Sequence, residues 1–216
     1  MNRSVKKDLS PIIALVGRVN VGKSTLFNTL VGASQAIVAP IPGTTRTTNE
    51  GFLAWRGRRM RVLDTGGLTF EDAVLFEDDI LAQSQKAMKQ ADVILFVTDA
   101  KEGVLPQEYE LAKILRRKTH KHVLLIANKA DSTKLIDGLT QKEWYQLGMG
   151  EPIAVSAVNG RGVGDLLDRI FDILEEEKIE IPEIPEESKA IRVSLIGKPN
   201  VGKSSLFNKI IGEEKV

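Results

Sequence analysis

The eight residues Gly17 to Ser24, GRVNVGKS, set two glycines, a lysine and a hydroxyl at the spacing needed to wrap backbone around a phosphate chain. In G-x-x-x-x-G-K-S the glycines let successive N–H groups turn inward around phosphate oxygens, and a following helix adds its positive N-terminal end. Gly17, Val21, Gly22 and Thr25 then belong to the cradle, Lys23 is placed to reach β- and γ-phosphates, and the Ser24 hydroxyl is available to Mg²⁺. An apolar run, Ile12 to Val16, precedes the motif and a helical pattern follows, which an incidental glycine-rich turn does not require. The pattern recurs as GKPNVGKS at Gly197 to Ser204, where Gly197, Asn200, Gly202, Lys203 and Ser204 are the matching candidates. Ile13 to Gly32 aligns without a gap on Val193 to Gly212, sharing L-x-G-x-x-N-V-G-K-S-x-L-F-N. So long an interval marks duplicated domains, not a stacked array of short repeats.

A second group of residues suits a purine base. Asn128-Lys129-Ala130-Asp131 follows the apolar VLLIA. The Asp131 carboxylate can accept from guanine N1–H and the N2 amine, whereas adenine has an acceptor at N1 and no amine at C2, so the motif selects GTP over ATP. The Asn128 side chain can bridge the base side to the phosphate-loop backbone, and the Lys129 stem can lie over the ring. Ser156-Ala157, after IAV, can offer a backbone N–H to guanine O6. Asp64-Thr65-Gly66-Gly67 matches D-x-x-G, with Asp64 holding a Mg²⁺ water and the Gly67 N–H meeting the γ-phosphate. Between it and the phosphate loop lies PIPGTTRTTN, in which a threonine hydroxyl is needed to complete the Mg²⁺ shell. Thr44, Thr45, Thr47 and Thr48 are all available, and residue type does not choose among them.

Strands and helices must alternate to hold these groups. Apolar, β-branched runs predict strands near 12–16, 50–55, 59–63, 92–98, 122–127 and 152–155. Helical patterns fall near 23–31, 78–89, 107–117, 140–146 and 163–174. This is an α/β pattern of the P-loop NTPase kind: a mostly parallel six-stranded sheet with one antiparallel edge strand, where Arg56-Gly57-Arg58 signals a hairpin, and helices on both faces. Ligands in such sheets bind at the carboxyl ends of the strands, where the motifs fall. The chain has 216 residues, 42% of them hydrophobic, a net charge of +1 and no cysteine. It has the substance for a packed core, no disulfides or thiolate metal site, and no charge bias toward nucleic acid. No run approaches a membrane span, and a cytoplasmic protein without a membrane partner is expected. The organisation predicted is a first nucleotide-binding domain over 1–175, an acidic, proline-punctuated linker over 176–189, and the truncated start of a second domain over 190–216.

The order GxxNVGKS, PGTTR, DTGG, NKAD, SA, an acidic linker and a second KPNVGKSSLFN resembles the Der (EngA) family of bacterial GTPases, which carry two tandem GTPase domains followed by a KH-like domain. The resemblance covers the whole chain, and the tandem phosphate loop is what distinguishes it from single-domain relatives such as Era and MnmE. It puts the family's PG-x-T-R on Pro42, Gly43, Thr45 and Arg46, which nominates Thr45 as the Mg²⁺ ligand and γ-phosphate sensor. Val19 departs from the family's usual proline, and Thr47 stands where an acidic residue is usual. Leu68 follows D-x-x-G where Ras-like proteins carry the glutamine that orients water, so alignment and positive charge must come from elsewhere. The resemblance implies that the loop asparagine, Asn20 here and Asn200 in the second copy, helps bind K⁺ where an arginine finger would act. It implies hydrolysis of GTP to GDP with Lys23, Thr45, Gly67 and Asn20 as its catalytic set, and a role in assembling the large ribosomal subunit. The alternative is a slow-turnover, nucleotide-gated switch that binds RNA or the ribosome, or another Era/MnmE-like GTPase. A monomer is expected. The basic stretches Trp55 to Arg61 and Arg116 to His122 suit either solvated surface or phosphate contact with ribosomal RNA. His120 and His122 lack acidic or cysteine neighbours in sequence that would make a metal site.

Overall fold

A computed structural model of the chain describes residues 9–32, 49–65, 89–118 and 121–184, together with 198, 202, 203, 205, 206 and 209. The chain divides into two compact units, Met1–Ile184 and Pro185–Val216. In the first, the strands are β1 (Ile12–Val16), β2 (Asn49–Trp55), β3 (Arg58–Asp64), β4 (Val93–Asp99), β5 (His122–Asn128) and β6 (Ile153–Ala154). The helices are α1 (Lys23–Gly32), α2 (Pro106–Lys118), α3 (Thr133–Gly138), α4 (Lys142–Gln146) and α5 (Val163–Glu176). The expected helix near 78–89 lies almost wholly outside the described residues. The helix expected near 140–146 is present as α4, and a further short helix, α3, precedes it, its start capped by Ser132, which accepts from the Leu135 N–H.

The strands form one six-stranded sheet in the order β2-β3-β1-β4-β5-β6. All neighbours are parallel except β2 and β3, so the antiparallel edge falls where the hairpin signal put it. The turn is two residues long: Arg56 (φ +48) and Gly57 (φ +73) are both left-handed, the type I′ geometry that matches strand twist, and Arg58 joins β3. Strand β4 is buried along its whole length, as its unbroken apolar sequence requires of a strand covered on both faces. Its side chains alternate between two cores. Val93, Leu95 and Val97 join Ile13 and Leu15 of β1 beneath α1 and α5, through Leu26, Leu30, Leu166 and Ile170. Ile94 and Phe96 join Ala14 and Val16 on the other face, with Leu111 and Leu115 of α2 and Trp144 of α4. Each such fully buried large side chain contributes about 1.5–3 kcal/mol by leaving water. No described helix is long and apolar enough to cross a membrane.

Beyond α5 the chain does not leave the domain at once. The Arg59 N–H donates to Pro182 O at 2.8 Å and the Ile184 N–H to Gly57 O at 3.0 Å. Arg58 donates to Ile181 O at 2.7 Å, and the Ile181 side chain is buried in the α1/α5 core. The same hairpin is tied to α5, where Trp55 Nε1 donates to Asp168 at 2.6 Å and Arg56 pairs with Asp168 at 2.9 Å while covering the Phe171 ring.

Candidate functional site

Strands β1, β3, β4 and β5 run parallel, so their carboxyl ends deliver residues to one rim of the sheet. From β1 the chain enters the glycine-rich loop and then α1. Gly17 and Gly22 are there for space. A Cβ on Gly17 would sit 2.2 Å from Val97 O, and one on Gly22, at φ +90, would sit 2.4 Å from the Asn128 amide nitrogen. Lys23 is 4% exposed and its Nζ donates to Arg18 O at 2.6 Å, folding the lysine back across its own loop. Burial pushes its ammonium down to about 8; nearby Asp64 opposes that shift and Arg18 adds to it. The loop therefore holds a desolvated cation, and an anion placed beside it would be favoured.

β3 ends at Asp64, fully buried, whose Oδ2 accepts from the Ser24 hydroxyl at 2.8 Å. A hydroxyl and a carboxylate held together next to a phosphate cradle form the hard-oxygen donor pair that suits Mg²⁺. Thr65 anchors the turn by donating to Leu15 O at 2.9 Å. Thr45 and Gly67 lie outside the described residues. Asn20 is exposed and left-handed, at φ +62.

β5 ends at Asn128, 2% exposed, and its side chain performs the bridge its position suggested. Nδ2 donates to Val21 O at 2.8 Å, and Oδ1 accepts from the Ala157 N–H at 3.0 Å. One amide thus fixes the loop after β6 to the phosphate loop across the end of β5. Asp131 accepts from the Ser156 hydroxyl at 2.6 Å through Oδ1 and pairs with Lys101 at 2.5 Å through Oδ2. The Lys101 hydrogen bond, then that from Ser156, hold its carboxyl below the ordinary range, and the same pairing raises Lys101. Asp131 is therefore an ionised double acceptor, what guanine N1–H and N2–H₂ require. Thr29 of α1 donates to Ala157 O at 2.7 Å, a second tie between the two halves.

Other residues escaped the sequence reading. β4 ends at Asp99, 1% exposed, whose Oδ2 pairs with Lys129 at 2.6 Å. Arg18 of the phosphate loop is held by Glu108 of α2, at 3.2 Å, and by Glu102. Glu108 is fully buried, accepts from the Leu105 N–H at 2.7 Å, and is raised by that burial. The signal for Asp99 was present: like Asp64 and Asn128, it is the polar residue that closes an apolar strand run. The basic hairpin, in contrast, finds partners within the protein: Arg61 donates to Glu50 at 2.6 Å, Arg59 stacks on Phe52, and Arg56 and Arg58 serve α5 and the 181–184 segment. His122 pairs with Glu177 at 2.7 Å, and no group of three or more potential metal-ligating residues exists among the described residues.

In the second unit, the Lys203 Nζ donates to Lys198 O at 2.6 Å, Gly202 stands at φ +85, and the Leu206 N–H reaches Gly202 O at 2.9 Å. The first copy has the same three features, with Lys23 to Arg18 O at 2.6 Å, Gly22 at φ +90 and Leu26 N–H to Gly22 O at 2.9 Å. Gly197, Asn200 and Ser204 lie outside the described residues.

Comparison with known proteins agrees with this geometry. Residues 12–129 and 192–216 match the family described as 50S ribosome-binding GTPase. The chain is 44% identical over 205 residues to GTPase Der of Caldanaerobacter subterraneus, covering 95% of this chain and 45% of that protein. With GTPase Der of Pelotomaculum thermopropionicum it is 46% identical over 207 residues, again covering 95% of this chain and 45% of the relative. The chain thus spans about half the length of the curated relatives it matches. Among solved structures, Era in complex with MgGDPNP and nucleotides 1506-1542 of 16S ribosomal RNA superposes with a TM-score of 0.60 at 29% identity, over 83% of this chain and 60% of that one.

Proposed function

The chain belongs to the 50S ribosome-binding GTPase family and within it to the Der GTPases, and from that premise we propose that it binds guanine nucleotide at the rim formed by β1, β3, β4 and β5 and hydrolyses GTP to GDP and phosphate. The observation that carries the proposal is the Asn128 amide. It joins the Ala157 N–H to Val21 O, so that a base acceptor, Asp131, and a phosphate cradle, Gly17 to Ser24, form one site. In this reading Asp131, Asn128, Lys129, Ser156 and Ala157 hold guanine, while Gly17, Asn20, Val21, Gly22, Lys23, Ser24 and Thr25 hold the phosphates. Ser24, Thr45 and, through water, Asp64 would hold Mg²⁺, which supplies neutralisation of charge on the β- and γ-phosphates. Thr45 and Gly67 sense the γ-phosphate. Asn20, exposed at the lip of the loop, is the place for K⁺. Gly197, Asn200, Gly202, Lys203 and Ser204 form a second phosphate loop at the start of a second domain over 190–216, and the linker expected over 176–189 is confined to its later part, since residues 181–184 pair with the β2–β3 hairpin of the first domain.

The cellular role proposed is in assembly of the large ribosomal subunit in the cytoplasm, by a monomer that engages the ribosome or its RNA when GTP is bound. One observation favours slow turnover until a partner or cation intervenes: Arg18, the arginine of the phosphate loop, is committed to Glu108 and Glu102, so its charge is not directed at the phosphates. The decisive experiment on the base assignment is Asp131→Asn. It should lose GDP affinity and gain affinity for xanthosine diphosphate, since asparagine can donate to the xanthine O2. Retained preference for GDP would remove the base assignment. Sedimentation with large ribosomal subunits in GDPNP and in GDP tests the partner, and equal binding in both would remove the nucleotide-gated role.

A further inference from the structure

Asp99 closes β4 directly beside Asn128, its register partner on β5. Its side chain is 2% exposed, and both carboxylate oxygens are used. Oδ1 accepts from the Lys101 N–H at 2.8 Å and the Glu102 N–H at 3.4 Å, closing the turn that leads to α2. Oδ2 meets Lys129 Nζ at 2.6 Å, and that ammonium also donates to Asn20 O at 2.7 Å. Lys129 and Asn20 are both left-handed non-glycine residues, at φ +63 and φ +62, a conformation that costs about 1–2 kcal/mol each unless the surroundings enforce it. The ammonium joins these two strained points, and the buried carboxylate fixes the ammonium.

We infer that Asp99 is a positioning residue of the nucleotide site, acting through Lys129. By anchoring Nζ it draws the lysine stem taut between the base loop and the phosphate loop, where the stem forms a fixed wall for one face of the base. It also holds Asn20 O, and with it the lip of the phosphate loop. This rests on the guanine-site reading above. A carboxylate is needed because two sets of donors converge on it. An asparagine has one oxygen, so whichever way its amide turns, either Lys129 or the turn N–H groups face an NH₂.

The test is a double-mutant cycle on the full chain, Asp99→Asn, Lys129→Met and the two together, reading GDP affinity by fluorescence of a labelled nucleotide and folding by urea denaturation. Lys129→Met removes the ammonium while keeping an apolar stem. Asp99→Asn should weaken GDP binding about tenfold, and should cost nothing further in the Lys129→Met background, since its effect passes through the ammonium. A role confined to the turn would lower the unfolding midpoint equally in both backgrounds and leave the two affinity losses multiplying. Multiplying losses, or GDP affinity unchanged by Asp99→Asn while Lys129→Met weakens it, overturns the positioning role alone. If Lys129→Met itself leaves GDP affinity unchanged, the ammonium does not serve the site and the positioning role falls, while the guanine-site reading is judged separately by Asp131→Asn. Should Asp99→Asn not fold, Asp99→Ser, which keeps an acceptor for the turn and removes the charge, serves in the same cycle.

Discussion

Replacing Asn128 by alanine removes both links between the base side and the phosphate loop at once. The residue is 2% exposed, so neither Val21 C=O nor the Ala157 N–H gains water in exchange. Each buried orphan costs about 1–3 kcal/mol, and two that share one side chain add incompletely, so the domain should lose about 2–5 kcal/mol. With a urea slope of about 2–3 kcal/mol per molar, the unfolding midpoint should fall by about 1–2 M. GDP affinity should fall with it, because the same two bonds set the distance from base to phosphates. Asn128→Asp sharpens the reasoning. It keeps an acceptor for the Ala157 N–H but sets a carboxylate oxygen against Val21 O, so it should be no more stable than the alanine variant at neutral pH although it fills the same space. Urea denaturation without nucleotide, paired with titration of labelled GDP, measures both effects. An alanine variant with the parental midpoint and GDP affinity within twofold refutes the bridge. An aspartate variant as stable as the parent refutes the assignment of donor and acceptor.

Two further outcomes follow from the phosphate loop. The Lys23 ammonium is pushed down from its ordinary 10.5 to about 8 by burial, and incoming phosphates restore its charge. The depressed value means that the empty loop is penalised below pH 8 and relieved as pH rises from about 8 toward 10.5, so nucleotide binding takes up a proton in that window and weakens with rising pH. Calorimetry in two buffers of different ionisation enthalpy should read about three-quarters of a proton taken up per GDP at pH 8.5 and about a tenth at pH 7, whereas equal, negligible uptake at both would show Lys23 fully charged in the empty loop. If Asn20 offers its exposed side chain to a cation, GTP turnover should be faster in KCl than in NaCl of equal ionic strength and the difference should vanish in Asn20→Ala, and equal parental rates would dismiss the K⁺ role.

Most of the site was legible because its chemistry sits where strands end. The runs closing at Asp64 and Asn128 carry recognisable motifs, and the structure gives each the partner its chemistry asks for, Ser24 for one and Val21 and Ala157 for the other. Asp99 closes its strand in the same way, but V-T-D-A-K-E-G matches no motif, and its partners Lys129 and Asn20 come from two other loops. Period and propensity describe one segment at a time and cannot show a side chain whose meaning is given by two distant ones. The same limit left the basic run from Trp55 to Arg61 open between solvated surface and RNA, whereas the structure pairs it within the protein. Its partners Asp168, Phe171 and Ile181 lie more than a hundred residues on. The helix at 142–146 falls within the expected 140–146, but the one at 133–138 was missed because its 6 residues are too few to show a helical period.

The hairpin of β2 and β3 also has a history in time. Its two-residue turn lets it close within microseconds of leaving the ribosome that makes it. Yet the Arg59 N–H finds Pro182 O, and Gly57 O finds the Ile184 N–H, only after more than a hundred further residues have been made. At about 5–20 residues per second, the young hairpin waits several seconds or more with that margin open. The first domain is thus finished by its last residues, when a short run that looks like spacer closes the edge made long before.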